Sequence, residues 1–355
     1  MTIDPSAPLR TGIIGYGLAG RVFHAPLVRA ARGLRLTAIA TSRADEVAAL
    51  GGGIRAIADP QELIDAADID LVIIASPTGT HADLARAALM AGKAVVVDKP
   101  FTLTLAEARD LAALAQAKDG ALLVFHNRRW DSCFLSIRDA IESGEIGRVT
   151  RFMSHFDRFR PNVRERWRED GTPGSGLLYD LGPHLIDQAL MLFGMPQTVS
   201  ADIAALREGS RSVDDMQITL RYPAMRVQLC ASMNAPDASG GGAPRFTVHG
   251  TKGTLVKRLL DPQEDQAAVG LRPGDEGWGV DADPLAIHDA QGGVTLRAAR
   301  RGAQESFYAM LAAHLAGKGP PPVTLTECVA VMEVIEAAQL SAEQQRGIAL
   351  PLPLP

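Results

Sequence analysis

Leu9-Arg10-Thr11-Gly12-Ile13-Ile14-Gly15-Tyr16-Gly17-Leu18-Ala19-Gly20 is the stretch that decides the fold. A short apolar run ends in glycine, and a segment with helical character, Ala19–Ala31, begins at once. Gly15, Gly17 and Gly20 stand in the spacing GxGxxG. Between a strand and a helix that spacing has a mechanical meaning. The first glycine makes the tight turn, the second lets backbone approach a pyrophosphate, and the third lets the helix pack close to the strand. The helix N-terminus then stabilises the phosphate charge. Tyr16, Leu18 and Ala19 share this loop and are expected beside the same ligand. The plain alternative is a glycine-rich turn with no ligand.

The rhythm continues beyond the loop. Apolar runs at Leu34–Ala40, Ile54–Ala58, Asp70–Ser76, Ala94–Val97 and Ala121–Phe125 alternate with helical segments at Thr80–Ala91 and Thr104–Lys118. Short apolar runs alternating with amphipathic helices imply βαβ units and a parallel sheet. Six such strands with right-handed crossovers make a doubly wound Rossmann domain, placed at residues 1–126. After residue 126 the pattern changes. Arg148–Phe159 alternates like an exposed strand, and Leu178–Leu192 reads as a helix. Val199–Leu206, Asp215–Tyr222, Arg226–Ala231 and Arg245–Gly250 read as strands. The expected fold class is therefore α/β, with an N-terminal doubly wound domain and a C-terminal α+β domain, 127–355, built on a mainly antiparallel sheet. Ser239-Gly240-Gly241-Gly242 suggests a loop at a sheet edge, and Asp261–Gly302 has little periodicity. Ser306–Leu315 and Thr324–Gln345 read as helices, the second expected to pack back on the first domain. The Leu-Pro alternation of the tail, Leu350 to Pro355, rules out helix there.

Three positions in this frame carry chemistry. An Asp or Glu at the end of the second strand would bond the ribose 2′-hydroxyl of NAD. Thr41-Ser42-Arg43 stands there instead, and the nearest acid, Asp45, comes slightly late. A hydroxyl and a guanidinium suit a 2′-phosphate, because arginine offers a fork of donors to phosphate oxygens. NADP is thus favoured over NAD; the alternative is a solvated Arg43 with Asp45 on the ribose. Asp98-Lys99-Pro100 closes the fifth strand, where strand carboxyl ends face the ligand crevice. Tyr179-Asp180-Leu181-Gly182-Pro183-His184 puts a carboxylate and an imidazole four apart, on one face if the segment is helical. A histidine beside a carboxylate can shuttle a proton near neutral pH. Otherwise Asp180 caps the helix and His184 packs in the core.

The chain has 355 residues, 46% hydrophobic and 22% charged, with net charge −5. That balance argues against nucleic acid or an anionic membrane as partner. No apolar run reaches about 18 residues, so no membrane span is expected. The first residues carry no signal-peptide pattern. Cys133, Cys230 and Cys328 are too scattered for a disulfide framework or a structural zinc site, so no metal is expected and a reducing cytoplasm fits.

Together these motifs resemble the glucose–fructose oxidoreductase / inositol dehydrogenase family (Gfo/Idh/MocA). The family pattern has the glycine loop, a Glu-Lys-Pro tripeptide after strand five, and an Asp-x-Gly-x-His motif in the second domain. Asp98 replaces the usual glutamate here. Ser76-Pro77-Thr78-Gly79-Thr80-His81 resembles the loop after strand four that borders the nicotinamide half. Residues 15–27, 95–109, 125–132, 154–161 and 179–188 look like a bacterial subgroup that includes NADP-preferring scyllo-inositol dehydrogenases.

The resemblance implies hydride transfer between nicotinamide C4 and a polyol or sugar carbon. It makes His184 the acid/base, Asp180 its orienting partner, and Lys99 a donor to the reacting oxygen; the proton donor is left open between Lys99 and His184. Ser76, Pro77, Thr78, His81, Asp98 and Pro100 are expected at the cofactor. Asn127, Arg128, Trp167 and Tyr179 are expected at the substrate. Arg128 or Arg129 has an equal alternative as an interdomain ion-pair partner, and Trp167 as a core residue. Six arginines between Arg151 and Arg168 suggest either an anion site or a charged surface. Asp187 is placed to support the His184 helix, and His24, His155, His249, His288 and His314 receive no role. A homodimer or homotetramer is expected. Competing classes are a nicotinamide-dependent glycoside hydrolase and a nucleotide-binding sensor; retention of Lys99, Asp180 and His184 weighs against the sensor.

Overall fold

The structure is a computed structural model and describes residues 7–236 and 242–353. The chain forms two compact units. The first runs to Asn127 and takes in Gln263–Trp278 and Ala303–Val329; the second comprises Arg128–Pro262, Gly279–Gly302 and Ala330–Pro355.

The first unit is built on six strands: β1 (Leu9–Ile14), β2 (Leu34–Ala40), β3 (Arg55–Ile57), β4 (Leu71–Ile74), β5 (Ala94–Val97) and β6 (Leu122–Val124). They are all parallel, in the order β3-β2-β1-β4-β5-β6, with Ile14 level with Ala40 and Ile74. This is the order of a doubly wound sheet, reversing direction between β1 and β4. β4 (LVII) and β5 (AVVV) are buried at every position, as strands covered on both faces must be. The helices between them are α1 (Ala25–Ala30), α2 (Ala44–Ala48), α3 (Pro60–Asp65), α4 (His81–Met90) and α5 (Leu105–Ala117). α5 starts where Thr104 and Glu107 reciprocally satisfy each other's backbone N–H groups in a capping box. The segment expected as one helix over Ala19–Ala31 divides: Ala19–His24 winds as a π-helix and continues into α1.

The second unit carries α6 (Ser132–Glu142), α7 (Leu177–Asp180) and α8 (Gly182–Phe193). Its sheet has nine strands: β7 (Val149–His155), β8 (Thr198–Ala204), β9 (Asp215–Tyr222), β10 (Met225–Ser232), β11 (Phe246–Gly250), β12 (Gly253–Lys257), β13 (Leu285–Asp289), β14 (Val294–Arg297) and β15 (Ile348–Ala349). Their order is β14-β13-β12-β11-β7-β10-β9-β8-β15. Every neighbouring pair is antiparallel except β7 with β10. β9 and β10 alternate buried and open positions, the signature of a sheet with one covered face. Met216, Ile218, Leu220, Val227 and Leu229 form the covered side, and α8 packs against β10. α9 (Gln263–Ala268) and α10 (Ser306–Leu315) belong to the first unit, and the last helix is α11 (Leu325–Gln344).

Four expectations need correction. β7 is a central strand ending at His155 rather than an exposed strand reaching Phe159, because β10 and β11 pair with it on both sides. The single helix over Leu178–Leu192 breaks at Leu181, where ψ is −29° and φ −109°, leaving Pro183 in the first turn of α8. The aperiodic stretch Asp261–Gly302 contains α9, β13 and β14; β14 is exposed at all four positions, so no apolar face marks it. α6 is an additional helix, with Cys133, Phe134 and Ile137 fully buried. Ser239–Gly241 of the expected edge loop lies outside the described residues.

Candidate active site

In the glycine loop, each glycine is required for a different reason. Gly15 has φ +99°, and a Cβ there would lie 2.6 Å from the Ala75 carbonyl oxygen. A Cβ at Gly20 would lie 2.2 Å from the Gly15 carbonyl oxygen. At Gly17 a Cβ would meet nothing within 4 Å. Two of the glycines are therefore needed by the protein itself, whereas the space beside Gly17 is open. No side chain caps the helical segment that follows, and Leu18 at its start is exposed. Its first N–H groups remain free for an anion. This cradle fits the pyrophosphate of a dinucleotide.

Ser42 and Arg43 lie exposed past the end of β2. The Arg43 guanidinium pairs with Glu46 at 3.1 Å, and Arg21 reaches the other oxygen of the same carboxylate at 3.3 Å. Glu46 thus gathers two arginines past the end of β2. Asp45 is exposed in the first turn of α2.

The loops after β4 and β5 are tied together by His81. Its Nδ1 lies 2.8 Å from the Pro100 carbonyl and its Nε2 2.9 Å from the Ser76 carbonyl. Carbonyls only accept, so the neutral ring can serve one contact at a time and the imidazolium both. Burial pushes the His81 pKa down, while Asp98 pulls the other way. Ser76 and Thr80 share a hydroxyl contact of 2.6 Å, Pro77 accepts from Thr80, and Thr78 is buried.

The Asp98 carboxylate accepts the Lys99 backbone N–H at 2.8 Å, fixing the start of the tripeptide, and the Lys99–Pro100 bond is cis. Although burial opposes it, His24, Lys99 and His81 hold the Asp98 carboxyl below the usual carboxylate range. His24 Nε2 lies 3.8 Å from Asp98, and His24 Nδ1 contacts the Tyr308 hydroxyl at 2.6 Å. Tyr308 and His24 are both fully buried. His24 carries no warning in the sequence; its partner lies 284 residues away.

In the second unit, Asp180 ends α7 and His184 sits in the first turn of α8, its N–H donating to the Leu181 carbonyl at 3.1 Å. His184 is 5% exposed. Asp180 meets a residue not singled out individually in the sequence: Arg168 Nε lies 3.4 Å from its Oδ1. The same guanidinium stacks over Trp167, 4.4 Å from the ring centre. Arg166 pairs with Glu169, which also takes Arg207 at 3.0 Å, so part of the arginine run is internal pairing rather than open surface. The Tyr179 hydroxyl donates to Gln339 at 3.3 Å.

Arg128 and Arg129 both form ion pairs inside the second unit. Arg129 forks onto Asp187 of α8 at 2.7 and 2.9 Å, and Arg128 bonds Asp131 at 3.2 Å. Both pairs are nearly buried, where a matched guanidinium–carboxylate fork is favoured. Asn127, in the first unit, donates to Gln304 at 3.1 Å. Among the described residues, no group of three or more His, Cys, Asp or Glu side chains could hold a metal ion, and no helix is long and apolar enough to cross a membrane.

A parallel sheet wound around an open glycine loop, with a second unit on a mixed sheet, defines a two-part dinucleotide-dependent oxidoreductase. Family profiles agree: residues 9–126 match the NAD-binding Rossmann fold, and 138–350 the C-terminal alpha/beta domain, of one oxidoreductase family. The chain belongs to the Gfo/Idh/MocA oxidoreductase family. It is 44% identical over 345 residues to the uncharacterised oxidoreductase YdgJ of Escherichia coli, covering 96% of this chain and 99% of YdgJ. It is 35% identical over 347 residues to IolW of Bacillus subtilis, a scyllo-inositol 2-dehydrogenase (NADP(+)), covering 96% of each. The crystal structure of a Klebsiella pneumoniae protein, provisionally described as an oxidoreductase, superposes with a TM-score of 0.91 at 47% identity, covering 98% of this chain and 96% of that one.

Proposed function

We propose that this oxidoreductase interconverts a secondary alcohol of a cyclic polyol or sugar and the matching ketone, with NADP the favoured cofactor and a scyllo-inositol-like ring the favoured substrate. The observation that carries the proposal is the likeness to IolW, which spans 96% of both chains. Lys99, Asp180 and His184 stand at the motif positions along that length.

Gly15–Gly20 would hold the pyrophosphate, Ser42 and Arg43 the 2′-phosphate, and the Ser76–His81 and Asp98–Pro100 loops the nicotinamide half. The nicotinamide ring, when bound, supplies the acceptor for the hydride. The chain's own residues manage the proton and the orientation. His184 takes the hydroxyl proton as the carbon gives up its hydrogen with the bonding pair, and returns it in the reverse direction. Asp180 orients the ring and stabilises the imidazolium. Arg168 holds Asp180 in place. Lys99 donates to the reacting oxygen, and Asp98, by accepting the Lys99 N–H, sets where that side chain starts. Asn127, Arg128, Trp167 and Tyr179 are proposed to serve the substrate hydroxyls.

The test is initial rates at 340 nm with NADP or NAD against inositols, pentoses, hexoses and sugar acids. Turnover of scyllo-inositol, faster with NADP, is expected. His184→Asn should lower kcat by about 10²- to 10⁴-fold, the usual worth of a positioned acid/base, with NADPH affinity retained. Absence of turnover across the panel, in protein that binds NADPH, would refute the substrate class; faster turnover with NAD would refute the cofactor preference alone.

A further inference from the structure

His24 is fully buried and ends the π-helical segment that follows the glycine loop. π-helical turns are rare and recur at functional sites. The imidazole packs against Phe125, 4.4 Å between ring centres, and meets Tyr308 edge-on. Two polar contacts cross this aromatic setting. Nδ1 lies 2.6 Å from the Tyr308 hydroxyl, and Nε2 lies 3.8 Å from Asp98 Oδ1. Nε2 is sealed from water and, among the described residues, has no hydrogen-bond partner. The same Asp98 oxygen accepts the Lys99 backbone N–H at 2.8 Å. Three segments of the first unit far apart in sequence thus meet in one line: the π-helix, the loop after β5, and α10.

The chemistry of these groups decides where the protons sit. An ionised carboxylate only accepts, a phenol gives or accepts, and a neutral imidazole carries one N–H and one lone pair. If Nδ1 held the only ring proton, the Nε2 lone pair would face the carboxylate and the phenol proton would have no acceptor at the ring. With Tyr308 donating to Nδ1, the ring proton sits on Nε2 and faces Asp98. Burial and the Asp98 charge hold the Tyr308 phenol well above its ordinary range, so it keeps the proton it donates. At 3.8 Å the Nε2–Asp98 contact is electrostatic rather than a hydrogen bond, but between enclosed groups it is little screened. Although burial opposes it, His24, ahead of Lys99 and His81, draws the Asp98 carboxyl below the usual carboxylate range.

We propose that His24 and Tyr308 are positioning residues for Lys99. Tyr308 fixes the His24 proton on Nε2, that N–H steadies Asp98 Oδ1, and Asp98 Oδ1 holds the backbone N–H of Lys99. Both residues act through Asp98. The consequence for turnover rests on the reading of Lys99 as donor to the reacting oxygen; the line of contacts itself does not.

Amide hydrogen exchange of the full chain, read at Lys99, tests the contacts without any substrate. Tyr308→Phe and His24→Phe keep an aromatic ring in the cluster and remove the hydroxyl or the imidazole. In both, the Lys99 amide should exchange about tenfold faster or more, the worth of a weakened charge-assisted bond, while the amides of β4 and β5 keep wild-type rates. His24→Gln, whose amide returns an N–H near the Nε2 position, should bring the Lys99 rate back toward wild type. With a polyol that turns over at 340 nm, the two phenylalanine variants should lower kcat by up to about 10²-fold, the usual penalty of an ångström-scale misplacement, with NADPH affinity retained and His24→Gln partly restored. An unchanged Lys99 rate in the phenylalanine variants would overturn the proposal. So would a uniform rise that takes β4 and β5 with it, or a glutamine variant that exchanges as fast as His24→Phe. Faster Lys99 exchange with unchanged kcat would uphold the contacts and refute the reading of Lys99 as the donor.

Discussion

Gly17→Ala separates what the protein needs from what its ligand needs. A Cβ at 17 meets nothing within 4 Å, and Gly17 is not among the glycines with positive φ. Alanine therefore fits the free protein, and at such a site it stabilises by about 0.4–1 kcal/mol through the unfolded chain. The methyl group fills the space through which a pyrophosphate would approach. Losing one charge-assisted hydrogen bond costs about 1.5–3 kcal/mol, or roughly 10- to 150-fold in Kd. Gly15→Ala should behave in the opposite sense. Its φ of +99° and a Cβ 2.6 Å from the Ala75 carbonyl combine a left-handed penalty of about 1–2 kcal/mol with overpacking of about 1–3 kcal/mol. That variant should lose about 2–5 kcal/mol of stability. NADPH fluorescence titration and thermal melts of both variants are the assay. A Gly17→Ala protein that binds NADPH as tightly as wild type, or that melts well below it, would refute the assignment of the loop.

Two further outcomes follow from the site. His81 has its pKa lowered from 6.5, chiefly by burial, so between its folded and unfolded pKa values the unfolded chain binds more protons and stability falls as pH drops below 6.5; His81→Gln should flatten that part of the profile in melts between pH 7.5 and 5. Arg168→Ala breaks a partly exposed pair and should change stability by less than about 1 kcal/mol, yet freeing Asp180 should lower kcat by up to about 10²-fold, the usual penalty of an ångström-scale misplacement, which steady-state kinetics with a parallel NADPH titration will measure.

Where burial left a periodic signal, the fold could be read directly. β5 is apolar at all four positions, and the helical run from Thr104 is α5. β14 could not be read, because a strand exposed at every position carries no face. The break at Leu181 was hidden because apolar residues continue on both sides of it. At the site, the glycine spacing was local and legible. The partners of Asp98 and Asp180 were not, since His24 lies 74 residues before one and Arg168 reaches the other across the loop that precedes α7. Long-range pairing leaves no periodicity, and only the chemistry of each residue, not its partner, shows in the sequence.

The first unit draws its residues from three separate stretches of chain, and this has a consequence for biosynthesis. His24 and Phe125 find their aromatic partners, Tyr308 and Phe307, only after a further 180 or so residues have been added. At 5–20 residues per second that is a wait of roughly 10–40 s. During this interval the glycine-loop helix stands over an unfilled cluster. A gene fragment ending at residue 126 should therefore yield an unstable product, and a nascent chain of that length should be one that holding chaperones recognise.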